Sequence, residues 1–381
     1  MKIYFAGNQV CMKRGLDTER FKRYFAANGW TEAETAESAD AVIAVTCAFV
    51  SSYTATAVGM LEELKKQGKR LIVYGCLPDM AHDEFEKVFR GEFFSTKNPE
   101  RIEEFFPEFT VKLCDVPDSF EPDISVMRSF DPYALNPVEV RNNVKSRKPA
   151  PILRISEGCN NSCSYCSHPM ALGRLKSKPL EECVSDYLRI LDCGHKRVTI
   201  HANDPASYGE DIGLSYPELL NALDKASDDE SVKWSLNDVH PRYLLKYGAE
   251  IIRFIQKGRV VQIGIPLQSG SPEVLRRMNR VYDIEKVTEM LCRLRTEKPE
   301  LVISTHLIAG FPCETEEDIE LTADIFRKVK IDSAFIFRYS ANKGTRAAGL
   351  TGQLSPADIA ERQMLLAEKI SAHGCRTEIF L

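Results

Sequence analysis

No apolar run in this 381-residue chain approaches the roughly 20 residues that a helix needs to cross a bilayer. The N-terminus offers only Ile3 to Ala6 before Asn8 and Gln9, too little for the core of a signal peptide. A large excess of one charge sign is also missing. The formal net charge is −5, which argues against a protein that grips a polyanion over its whole surface. One local basic group remains, Arg141, Lys145, Arg147 and Lys148, and it reads better as a solvated linker that happens to be basic than as a polyanion-binding path. The chain has no internal repeat and no low-complexity tract. These absences lead us to expect a cytoplasmic globular protein with no membrane partner.

Cysteine, by contrast, is plentiful. Twelve cysteines in a cytoplasmic chain do not suggest a disulfide framework, and their uneven placement points to metal ligation instead.

The chain alternates strand and helix patterns. Lys2 to Ala6 reads as a strand, Asp17 as the cap of a helix reaching Asn28, and Gly29 as its stop. Ala41 to Thr46 and Arg70 to Gly75 are apolar, β-branched runs suited to strands buried on both faces, with a helix from Tyr53 to Gln67 between them. This predicts a small doubly wound α/β domain over residues 1–106. Residues 107–151 carry seven prolines and little periodicity, as a surface linker would. Six further strand candidates follow: 152–155, 197–201, 233–236, 260–265, 301–308 and 333–339. They predict a partial (β/α)6 barrel over 152–345. Residues 346–381 hold a last helix, capped by Ser355 with Pro356 next and ended by Gly374, and a short tail.

The strongest local pattern is Cys159-Asn-Asn-Ser-Cys163-Ser-Tyr-Cys166, directly after the first barrel strand. Three thiolates can hold three irons of a [4Fe–4S] cluster, which otherwise takes four cysteines. The open iron can then bind the amino and carboxylate groups of S-adenosylmethionine (SAM) and deliver one electron to its sulfonium. A zinc site completed by His168 or Cys183 is the alternative. A second set, Cys11, Cys47 and Cys76, lies just past the first strands. In a parallel sheet such positions converge on the carboxyl edge, where ligands bind. They also read as buried small hydrophobes.

Several stretches then carry a family resemblance. Cys11-Met-Lys-Arg-Gly-Leu-Asp-Thr-Glu-Arg, Thr46-Cys47-Ala48 and Gly75-Cys76-Leu77 resemble the N-terminal domain of radical SAM methylthiotransferases, and Cys159 to Cys166 is similar to that family's cluster loop. Pro266 to Ser271, Arg277 to Tyr282, Ala309 to Glu316 and Tyr339-Ser340 with Gly344-Thr345 resemble its barrel motifs. The resemblance implies two [4Fe–4S] clusters, one on Cys159, Cys163 and Cys166 and an auxiliary one on Cys11, Cys47 and Cys76. It implies SAM as radical source at the first and as methyl donor to sulfur at the second. A low-potential donor such as flavodoxin or ferredoxin is then a partner. Tyr165 is expected toward the adenine of SAM, and Gly310 and Phe311 against the nucleoside. Gln268 is expected at the barrel mouth with Ser269, and Ser235 and Asn237 near the ribose or carboxylate. His201, Asn203, Asp204 and Tyr208 are candidates for lining the substrate pocket or for a loop hydrogen-bond network.

Three departures bear on substrate. We expect no C-terminal TRAM domain of the kind that tRNA-modifying members carry. The stretch His168 to Lys178 is less rich in arginine than the family's, and Cys313 replaces a glycine. With the acidic balance, they lead us to expect a peptide or protein side chain as substrate, with a modified adenosine in tRNA as the alternative. Radical SAM chemistry of another type and a non-catalytic iron–sulfur protein are the further readings.

Overall fold

The computed structural model describes residues 1–7, 12–123 and 150–380. Two compact units form: Met1–Ile152 with Ser167–Gly173, and Leu153–Cys166 with Arg174–Leu381. Cys11 and the basic group Arg141 to Lys148 lie outside the described residues, as does most of the expected linker.

The first unit is built on strands β1 (Lys2–Gly7), β2 (Thr31–Glu32), β3 (Ala41–Thr46), β4 (Arg70–Gly75) and β5 (Glu92–Ser95). They form a parallel sheet in the order β2-β1-β3-β4-β5. Every residue of β3 is buried because it is the central strand, covered on both faces, which is why it reads as an unbroken apolar run. Ile43 and Val45 pack with Phe21, Tyr24 and Phe25 of helix α1 (Met12–Ala27). Val42 and Ala44 pack with Met60, Leu61 and Leu64 of α2 (Ser51–Lys66) on the other face. Short helices α3 (Leu77–Met80), α4 (His82–Val88) and α5 (Ile102–Phe105) complete the chain. A further short helix, α6 (His168–Leu172), joins this unit, with Ala171 in the α2-side core and the His168 ring stacked on Phe49 at 5.0 Å.

Two expectations need correction here. Asp17 does not cap α1, which begins at Met12. Its buried carboxylate instead accepts a 2.7 Å hydrogen bond from the Tyr74 hydroxyl and pairs with Arg14 at 2.8 Å. Nor is the described start of the linker loose. Phe109, Leu113 and Val116 enter the core, and Arg20 donates to the carbonyls of Leu113 and Val116.

The second unit carries seven parallel strands in the order β14-β13-β12-β11-β10-β9-β6: β6 (Ile152–Arg154), β9 (Arg197–His201), β10 (Lys233–Leu236), β11 (Val260–Gly264), β12 (Val302–Ala309), β13 (Ser333–Arg338) and β14 (Arg376–Phe380). A short antiparallel ladder pairs β7 (Ser156–Glu157) with β8 (Lys176–Ser177) across the intervening residues 158–175. The crossover helices are α7 (Leu180–Asp192), α8 (Tyr216–Ala226), α9 (Pro241–Gln256), α10 (Pro272–Arg277), α11 (Ile284–Glu297), α12 (Glu316–Lys328) and α13 (Pro356–Ser371). Because spatial order follows chain order, right-handed crossovers put these helices on one face, as in a barrel. Trp234 of β10 marks that face, meeting Tyr187 of α7 and Phe254 of α9. The tail beyond Gly374 is therefore not a simple extension, since Arg376–Phe380 pairs in parallel with β13 as a seventh strand.

Alternation along the strands assigns the opposite, concave face. Thr199 and Ser235 are cross-strand partners, as are Ser235 and Gln262. Gly264 pairs with Ser304, and His306 with Phe335. These residues therefore share one side of the sheet. The Arg197 Nη2 to Gln262 Oε1 bond of 3.0 Å spans the same side.

Candidate active site

The loop bearing Cys159, Cys163 and Cys166 follows β7, and the three thiols are partly buried. Its backbone is pinned at several points. Ser164 donates through N to the Met278 carbonyl at 2.9 Å and through Oγ to that of Arg277 at 2.8 Å. The Ser164 carbonyl accepts from Ala347 N. Asn279 Nδ2 donates to both the carbonyl and the hydroxyl of Ser162 at 2.8 Å. Asn160 Oδ1 accepts from Leu175 N. A loop so fastened presents its thiols with little freedom to reorganise, as a preorganised metal site requires.

Side-chain donors reach two of the thiols. Arg280, itself buried, directs Nη1 to Cys163 Sγ at 3.6 Å and to the Tyr165 hydroxyl at 3.4 Å. Asn161 donates to Cys159 Sγ through Nδ2 at 3.3 Å, and the same amide donates to Asp204 Oδ2 at 2.6 Å. Burial, reinforced by the Asp204 charge, raises the Cys159 thiol pKa in the unligated loop. Burial also pushes the Asp204 carboxyl up to about 6, against the Asn161 hydrogen bond and the nearby Arg242 and Arg280.

Strained backbone gathers on the same edge. The non-glycine residues with left-handed φ among those described are Asp238, Gln268, Asn279 and Cys313. Asp238 follows β10, Gln268 follows β11 and Cys313 follows β12. Such strain clusters where a side chain must be aimed. Gln268 (φ 70°) is clamped between the His306 carbonyl and the Ile308 amide, and its buried Oε1 has no partner among the described residues. Ser235 is buried, and the Asn237 Cα stands 3.6 Å from where a Cβ on Gly264 would sit. Gly264 thus keeps the space beside Asn237 open.

Other sequence candidates have different surroundings. Tyr165 packs at the rim of a small core formed by Val274, Met278, Phe311, Tyr339 and Ala347. Phe311 is wholly inside that core. Gly310 is needed for packing, since a Cβ there would meet Ile359 of α13 at 2.7 Å. Tyr208 is fully buried and donates to the Lys178 carbonyl at 2.8 Å, which places it in the structural network rather than on the concave face. Ser269 is likewise buried against Thr322. Asn203 is half-buried after β9. His201, also at the end of β9, turns Nδ1 toward Asp238 Oδ2 at 3.8 Å, and His306 Nδ1 reaches Asp238 Oδ1 at 3.5 Å. The His306 contribution from mid-β12 was missed in the sequence, where it sits inside an apolar run. Cys183 belongs to the core of α7 with its thiol pushed up to about 11 by burial.

In the first unit, Cys47 and Cys76 follow the adjacent strands β3 and β4, whose last residues Thr46 and Gly75 are paired. Thr46 fixes the pair: its carbonyl accepts from Cys76 N at 3.1 Å and its hydroxyl donates to the Tyr74 carbonyl at 2.9 Å. Gly75 has φ 125°, and a Cβ there would lie 2.2 Å from the Thr46 carbonyl oxygen, so no other residue fits. Both thiols are buried. β1, the other neighbour of β3, runs toward the same edge.

Among the described residues no three His, Cys, Asp or Glu side chains converge where a single ion could sit. A four-iron cluster asks for something different, thiolates that each reach a separate iron. The three-cysteine loop with its buried cation, and the orphaned Gln268 Oε1 and Asp204 Oδ1, fit such a cluster beside a polar ligand.

Residues 153–326 match the radical SAM superfamily, and residues 5–94 match the uncharacterized protein family UPF0004. The fold and the cysteine loop thus define a radical SAM enzyme. Among curated proteins, the chain is 32% identical over 364 residues to the tRNA-2-methylthio-N(6)-dimethylallyladenosine synthase of Caldicellulosiruptor saccharolyticus, covering 93% of this chain and 74% of that one. It is 29% identical over 373 residues to the synthase of the same name from Clostridium botulinum, covering 94% and 79%. The chain belongs to the radical SAM methylthiotransferase family, whose members use SAM and two [4Fe–4S] clusters. Among solved structures it is similar in fold to the radical SAM methyltransferase TsrM of Kitasatospora setae (TM-score 0.61, 13% identity, 88% of this chain and 74% of that one). It is also similar to the cobalamin-dependent radical enzyme OxsB (TM-score 0.56, 11% identity, 97% and 56%). No helix among the described residues is long and apolar enough to cross a membrane.

The family glycine position occupied by Cys313 keeps a left-handed backbone, φ 61°, with its N–H held by the Gly352 carbonyl at 2.9 Å. Next to it, Glu314 accepts from Gly310 N at 2.7 Å. Burial pushes the Glu314 carboxyl up to about 7, against that hydrogen bond. The folded chain therefore holds a proton here that the unfolded chain releases above about 4.3. Stability falls as pH rises from there to about 7, and the cost is complete above it. We expect Glu314→Gln, whose amide oxygen can still accept from Gly310, to gain on the wild type between pH 5 and pH 8 by on the order of 2–3 kcal/mol. Urea titrations of both proteins at the two pH values check this; an unchanged difference would show that Glu314 is ionised throughout.

Proposed function

We propose that the chain attaches a methylthio group to a modified adenosine in tRNA, works in the cytoplasm, and draws its electrons from a flavodoxin or ferredoxin. The observation that carries the reading is the named product of relatives aligned over more than nine-tenths of the chain. It outweighs the expectation of a peptide or protein substrate, which rested on acidic balance and on departures from the family pattern. A net charge of −5 does not oppose tRNA binding, because affinity depends on the local phosphate-facing surface.

On this reading Cys159, Cys163 and Cys166 hold the cluster that supplies reducing power to SAM. Arg280 offsets thiolate charge, Asn161 orients Cys159, and Gln268 with Ser235 and Asn237 offers polar contacts to the bound SAM. Cys47 and Cys76, with Cys11, hold the cluster that carries the sulfur. The test is anaerobic incubation of reconstituted enzyme with SAM, a low-potential reductant and bulk tRNA, followed by nucleoside digestion and mass spectrometry. A nucleoside heavier by one CH2S unit supports the reading. 5′-Deoxyadenosine and S-adenosylhomocysteine formed with no altered nucleoside would overturn it.

A further inference from the structure

Asp204 stands where an aspartate ordinarily caps a turn. It precedes the single 3-10 turn Pro205–Ser207 after β9, yet its carboxylate makes no cap bond there. Ser207 bonds instead to the Asp204 main-chain carbonyl, through N at 3.2 Å and Oγ at 2.7 Å. The side chain turns away to the cysteine loop, 43 residues back in the chain, where Oδ2 accepts from Asn161 Nδ2 at 2.6 Å. Only 2% of Asp204 is exposed, which removes it from the residues expected to line a substrate pocket.

The Asn161 amide has two hydrogens, and both are spent. One goes to Asp204 and the other to Cys159 Sγ at 3.3 Å. The Asn161 backbone N–H reaches the same sulfur at 3.4 Å. Asp204 fixes which way the amide faces, because a flipped amide would set oxygen against oxygen and withdraw the donor from the sulfur. The two distances also place Asp204 Oδ2 within about 6 Å of Cys159 Sγ, near enough for a carboxylate charge to act on it.

Hydrogen bonds to a ligand sulfur and nearby charge are two levers by which a protein sets the potential of an iron–sulfur cluster. They oppose each other here. A donor to sulfur eases reduction, since the sulfur carries more negative charge in the reduced cluster. A fixed carboxylate resists it.

We propose that Asp204 is a positioning residue for the SAM-cleaving cluster. It holds the Asn161 amide on Cys159, and its own charge keeps the cluster a stronger reductant than the loop's donors alone would leave it. This rests on the reading that Cys159 is a cluster ligand.

The test is a redox titration of the reconstituted two-cluster enzyme, followed by electron paramagnetic resonance. The signal missing from Cys159→Ala belongs to the cluster in question. Asp204→Asn keeps an acceptor oxygen for Asn161 and removes the charge. Its potential should rise by at least about 59 mV, a tenfold change in the ratio of reduced to oxidised cluster. Asn161→Ala removes the donor and keeps the charge, so its potential should fall below that of the wild type. Asp204→Glu, which restores the charge, should stay closer to the wild type than Asp204→Asn does.

A purely structural pair would loosen the loop and lower the iron content without opposite shifts in the cluster that remains. Unshifted potentials, or shifts of one sign in Asp204→Asn and Asn161→Ala, would overturn the proposal and leave the cysteine reading standing. Loss of this cluster from both variants would also overturn it, by making the pair scaffold. Full iron and every signal in Cys159→Ala would defeat the cysteine reading itself, and the proposal with it.

Discussion

Enzyme in which any one of Cys159, Cys163 and Cys166 is replaced by alanine is expected to form no detectable 5′-deoxyadenosine from SAM under strong reduction. Its iron content should fall from about eight per chain toward about four, as expected when one of two four-iron clusters is lost. The size of the effect follows from the ligand count. Three thiolates leave one iron free for SAM, and two thiolates do not hold a stable cluster. The loop itself should survive the change. Its conformation rests on Ser164 with Met278, Arg277 and Ala347, on Asn279 with Ser162, and on Asn160 with Leu175, none of which involves a cysteine side chain. Loss of activity in a variant with an unaltered thermal transition of the apoprotein would therefore report on ligation. Continued deoxyadenosine formation in all three would remove the loop from the chemistry.

The same loop shows what a sequence reveals and what it withholds. Cysteines at fixed local spacing, and strands such as Ala41 to Thr46 that are apolar because both faces are covered, are legible because the signal and its cause are close together in the chain. Asp17 was misread for the opposite reason: its partner is Tyr74, 57 residues away, and no local pattern marks that bond. β14 was read as tail because Arg-Thr-Glu-Ile-Phe lacks the apolar character of an inner strand, which an edge position does not require. The ring contacts of His306, Phe335, Phe337 and Phe380 depend on the register of β12, β13 and β14, and register is a property of pairing rather than of any one strand. Gly310 shows a different limit. The sequence leads to an expectation of backbone against the nucleoside, and only the fold shows the crowding from Ile359.

Cys47→Ala and Cys76→Ala are expected to separate the two halves of the reaction. Each should hold about four irons instead of about eight, continue to form 5′-deoxyadenosine, and yield no methylthiolated product. The fold tolerates the exchange because the carboxyl edge of β3 and β4 is held by other groups. Thr46 bonds to Cys76 N and to the Tyr74 carbonyl, and Gly75 fits where a side chain would collide. Removing one sulfur from this framework should cost about 1 kcal/mol in stability, of the order of one buried methylene. A structural thiol and a ligand thiol therefore predict different results. If Cys47 and Cys76 were only small core residues, the variants would keep their full iron and their product. If they are ligands, sulfur insertion disappears while radical formation persists, since the Cys159 loop is carried by a different unit of the chain. Measuring iron, deoxyadenosine and product on the same preparations distinguishes the two.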